Sequence, residues 1–64
     1  MEEKVLRHLL AKYGEEIATN TDALQQGAPK TFEDYKYLCG VIRGLSLAQS
    51  HIHDLMRKLE HFDE

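Results

Sequence analysis

The chain has 64 residues, 30% of them charged, with a formal net charge of −3, and at this size one hydrophobic core barely offsets conformational entropy without a disulfide, a metal or a partner chain. Its one cysteine, Cys39, excludes an intramolecular disulfide, no group of cysteines and histidines has structural-zinc spacing, and no apolar run approaches the roughly 20 residues of a membrane span. An acidic balance without a basic block excludes general nucleic-acid binding, which leaves one domain, residues 1–64, with oligomerisation as its remaining source of stability.

In chain order, Met1-Glu2-Glu3-Lys4 lacks the basic start and continuous apolar core of a signal peptide, so a reducing, intracellular location is expected. The first helix is predicted from about Glu2 to Gln25. Leu6, Leu10, Tyr13, Ile17 and Leu24 share a helical face that Val5 and Leu9 widen, and Glu2 and Glu3 suit the positive end of the helix dipole. Gly14 costs about 1 kcal/mol relative to alanine in a helix interior, and Thr19-Asn20-Thr21-Asp22 competes for backbone hydrogen bonds. These are the weak points of the predicted helix, where it would bend, fray or restart if it does so anywhere, with Thr19, Thr21 or Asp22 as the new N-cap.

Residues 26–30, Gln26-Gly27-Ala28-Pro29-Lys30, form the turn: Gly27 suits the left-handed position after a helix, and Pro29 prevents the first helix from continuing. Thr31 reads as an N-cap, with Glu33 and Asp34 complementing the dipole of a longer second helix, about 31–62. So short a connection makes the pair an antiparallel hairpin. Along the second helix one apolar seam reads Tyr35, Leu38, Ile42, Leu45, Gln49, Ile52, Met56, Leu59. Another reads Leu38, Val41, Leu45, Ala48, Ile52, Leu55, Leu59, Phe62. A stripe this wide needs more than one partner helix, so the predicted fold is all-α, a helical hairpin assembling into a homo-oligomeric bundle. Its core and interface centre on Leu38, Ile42, Leu45, Gln49, Ile52 and Leu59. Gln49, polar at a core-type position, either fixes register by pairing with its own copy or reaches water at the edge of the stripe.

Stepping about 100° per residue sets Lys36, Gly40, Arg43, Gly44, Leu47, His51, Asp54 and Lys58 opposite the stripe. Two glycines on a solvated helical face weaken the helix without return. Either they let two helices cross closely within the oligomer, or Lys36, Gly40, Arg43, Gly44 and Leu47 form a binding face. A protein would pack against such a face, and an anionic small molecule would use the Arg43 fork with Tyr35 or Tyr37 as a stacking surface.

Nothing in the sequence assembles catalytic chemistry. His51 and His53, two apart, diverge on a helix and cannot chelate one metal. Cys39 has no evident histidine partner, and the members of Glu15-Glu16 and of Glu33-Asp34 point apart. No catalytic residue, metal or cofactor is assigned, and the chain is read as a non-enzyme.

The stretch from Phe32 to Ala48 contains Tyr35, Leu38, Gly40, Ile42, Gly44-Leu45 and Ala48 in the pattern Tyr-x-x-Leu-x-Gly-x-Ile-x-Gly-Leu-x-x-Ala, followed by Ile52, Asp54 and Leu55. It resembles a pattern in very small helical proteins of tailed bacteriophages, and Leu24-Gln25-Gln26-Gly27-Ala28 is similar to the leucine and glycine before their turn. About half of the chain takes part. The resemblance implies a small accessory or virion-associated protein in the cytoplasm of an infected bacterium, possible incorporation into the virion included. Two functions are therefore expected in competition. One is a self-assembling module docked on phage structural components at the head or head-to-tail region; the other is an anti-defence protein that blocks a host protein or sequesters a nucleotide signal.

Overall fold

A computed structural model describes the backbone of residues 2–62 and the side chains of residues 3–60. Helix α1 spans Glu2–Gln25 and helix α2 spans Phe32–Phe62, and the two pack against one another as a hairpin. The turn forms as its residues dictate. Gly27 takes a left-handed φ of 78°, the Gly27 N–H donates to the Leu24 carbonyl at 3.1 Å, and the Ala28 N–H donates to the Ala23 carbonyl at 3.0 Å. This pair of bonds is a Schellman closure, which satisfies carbonyls that the end of α1 would otherwise leave open. Thr31 then caps α2: its Oγ1 accepts the Asp34 N–H at 3.0 Å, with Glu33 and Asp34 in the first turn.

As predicted, α1 spans Glu2–Gln25, and it runs without a break through Gly14 and residues 19–22. At the polar run Asn20 Nδ2 donates to the Glu16 carbonyl one turn back at 2.7 Å, so this side chain bonds within the helix instead of capping a new one. Gly14 faces α2, and a Cβ built there would lie 3.6 Å from Gln49 Nε2. That spacing is an ordinary van der Waals contact. Gly14→Ala is accordingly expected to stabilise the hairpin by about 0.5–1 kcal/mol through helix propensity, measured as a higher midpoint in urea; a lower midpoint would show that the two backbones need the glycine.

The first seam lies against α1. Leu38, Ile42, Leu45, Gln49, Ile52, Met56 and Leu59 are all half-buried, as are Leu6, Leu10, Tyr13, Ile17, Thr21 and Leu24 on α1. Both rows step three and four residues at a time, the spacing that keeps one helix facing another along its length. Gln49 sits in this contact and its Nε2 reaches the Leu10 carbonyl of the same chain at 3.4 Å. Within the chain the amide is thus turned onto α1. This long bond fixes Gln49 level with Leu10 and so marks the register of the hairpin.

Covering along one side each is all that two helices achieve, and no described residue is fully buried. The expected core residues are half-buried instead. The Cα trace measures 51 × 15 × 12 Å with a radius of gyration of 15.0 Å, against about 11 Å for a compact chain of this length. The accessible surface is 5237 Å², whereas a compact monomer of this mass exposes about 4,200 Å². Glu2 and Phe62, assigned above to the helix dipole and the second seam, lie outside the described side chains.

Candidate functional site

The outer face of α2 is open. Lys36, Gly40, Arg43, Gly44, Leu47, His51, Asp54 and Lys58 are all exposed, which follows from α1 occupying the opposite side. A Cβ built on Gly40 or Gly44 meets nothing within 4 Å, so neither glycine serves a close crossing inside the hairpin. Arg43 forms no ion pair among the described residues, whereas Asp54 is held by Arg57 one turn on. Lys36 is turned toward the hinge, with its ammonium 5.5 Å from the centroid of the Phe32 ring.

The two tyrosines considered as stacking surfaces are both exposed, Tyr37 at 71% and Tyr35 at 49%. Tyr35 stacks on Phe32, with ring centroids 6.4 Å apart, and hydrogen bonding to the Cys39 side chain raises its phenol pKa, with the sulfur's charge as the next cause. Tyr37 lines a shallow hollow at the hinge together with Ala28, Pro29, Asp34 and Leu38. The sequence reading missed that hollow. Its residues lie on both sides of the turn, and only the closed hairpin brings them together. The one charged group lining it is a carboxylate, which opposes a phosphate-bearing ligand.

Charge elsewhere is local. Arg7 and Glu3 pair at 2.8 Å, and Lys12 and Glu15 at 3.8 Å, with all four side chains exposed. Hydrogen bonding to Arg7, then its charge, lowers the Glu3 pKa. Pairs this exposed contribute little to stability. Among the described residues no group of three or more His, Cys, Asp or Glu is placed to hold a metal, and no helix is long and apolar enough to cross a membrane.

A second uncovered surface runs along one side of the hairpin. In an antiparallel pair, the residues about 60–110° from the facing seams put Val5 and Leu9 of α1 on the same side as Val41, Ala48 and Leu55 of α2. Leu9, Val41 and Ala48 are half-buried, while Val5 and Leu55 are 54% and 46% exposed. These α2 residues are the members that set the second seam apart from the first. With α1 on the first seam, Val41 and Ala48 are covered only in part and Leu55 stays exposed. No protein-family model, curated protein or solved structure matches the chain.

Proposed function

We propose that this chain is a small non-enzymatic phage protein, a helical module that self-associates and works with virion structural components at the head or head-to-tail region. The observation that carries the assembly reading is the hairpin's lack of any fully buried residue among those described, together with a surface about 1,000 Å² larger than that of a compact monomer. The phage and virion parts draw on the pattern from Tyr35 to Ala48. Sedimentation of the purified chain across the micromolar range tests the assembly reading: a multiple of the 7.4 kDa chain mass is expected, with a melting temperature that rises with chain concentration. A well-folded monomer throughout that range would sink it. Detection of the protein in purified particles tests the virion role, and its absence from them would leave only an accessory role.

The alternative, an anti-defence protein that blocks a host protein or sequesters a nucleotide signal, is favoured by the open face with Arg43 between Gly40 and Gly44. Calorimetric titration against nucleotides and cyclic dinucleotides separates the two. Heat that Arg43→Ala abolishes without loss of helicity would support sequestration; no heat would remove that form of the alternative.

A further inference from the structure

We infer that a second copy seats on the side of the hairpin carrying Val5 and Leu9 of α1 and Val41, Ala48 and Leu55 of α2, so that two hairpins stack face to face as a four-helix bundle. This rests on the self-association proposed above and assigns its surface. Three observations favour this occupant and this side. The surface in excess of a compact monomer, about 1,000 Å², matches the roughly 800 Å² that each partner contributes to a standard interface. Both helices supply apolar residues to the one side, which a face-to-face stack of hairpins requires. The α2 row there, Val41, Ala48, Ile52 and Leu55, carries no charge, whereas the outer face of the same helix carries Lys36, Arg43, Asp54 and Lys58; on α1 the same side is apolar at Val5 and Leu9 and reaches a charge only at Glu16, two turns beyond Leu9.

The register makes this side self-complementary. Because Gln49 stands level with Leu10 and the helices run antiparallel, Leu55 lies within about 2 Å of the level of Val5, and Ala48 lies about 3 Å, less than one turn, from that of Leu9. A two-fold axis along the bundle then lays α1 of one copy over α2 of the other. Val5 meets Leu55 and Leu9 meets Ala48, and the axis repeats both contacts. The outer glycine face stays in water and free for other partners.

The test uses two leucines that the lone hairpin exposes almost equally, Leu55 at 46% and Leu47 at 50%. At a concentration where the wild-type chain sediments as a dimer, Leu55→Glu should sediment as a single chain and Leu47→Glu should remain dimeric. The opposite pattern would overturn the assignment and leave self-association standing, whereas a monomeric wild type would remove the self-association reading itself. Should Leu55→Glu lose helicity along with mass, thiol labelling decides. In a Cys39→Ser background, the Leu55→Cys thiol should label several-fold more slowly as chain concentration rises through the association range, and the Leu47→Cys thiol should not. Equal behaviour of the two thiols, or slowing only at Leu47→Cys, would place the second copy elsewhere.

Discussion

Leu45→Ala should leave the chain largely unfolded at micromolar concentration and 25 °C. Leu45 belongs to both apolar seams of α2 and is half-buried against α1. Truncating an enclosed leucine costs about 2–5 kcal/mol, and a half-covered one loses proportionately less. A chain of this length has a total stability of only about 3–10 kcal/mol. A hairpin without a fully buried residue belongs at the bottom of that range, so even half of the truncation cost removes most of the folded population. Ile52→Ala, at the equivalent place one heptad on, should behave alike. Far-UV circular dichroism against temperature, at matched chain concentration, is the measurement. Wild-type helicity and melting temperature in either variant would show that the stripe does not carry the fold. Raising the concentration should restore part of the lost helix, because association stabilises only the folded chain.

The parts of this fold that local chemistry decides were legible in the sequence. Gly27 needs no partner to favour a positive φ, Pro29 has no N–H to continue a helix, and Thr31 finds the Asp34 N–H three residues away. Each signal completes itself within a turn, so both helix ends at the hinge fall within a residue of expectation. The seams are a different matter. Leu38, Leu45, Ile52 and Leu59 belong to both, so spacing alone does not choose which seam α1 takes. The choice rests on Ile42 and Gln49 against Val41 and Ala48, and the decisive contact, Gln49 to the Leu10 carbonyl, joins residues 39 apart. The same remoteness hid the surroundings of Gly14, which faces α2 and lies beside the Gln49 amide with room for a methyl group. On the outer face, the exposure of Gly40 and Gly44 followed from helical periodicity, whereas their use depends on what stands outside the chain.

Gly40→Ala combined with Gly44→Ala should raise stability by about 2 kcal/mol, since each alanine gains about 1 kcal/mol of helix propensity. For a domain of this size that is a rise in melting temperature of roughly 10 °C. The space for both methyls exists, because nothing lies within 4 Å of either built Cβ. This reverses the sign expected if the glycines let a second helix cross there, since two added methyls would hold that helix off and overpack the crossing. Thermal melts at several chain concentrations, with the sedimenting mass recorded alongside, make the comparison. A higher melting temperature at unchanged mass would leave the glycines outside the self-association surface and point to a ligand or a different protein as the reason for keeping them. A lower melting temperature with loss of mass would put the second copy on the outer face, in direct conflict with the side carrying Val5 and Leu55. Arg43→Ala adds an independent reading. An exposed arginine without an ion pair among the described residues holds nothing in the hairpin, so its removal should change stability by less than about 0.5 kcal/mol. A partner that grips the outer face would lose a charge-assisted fork in that variant and its affinity would fall while the fold stays intact.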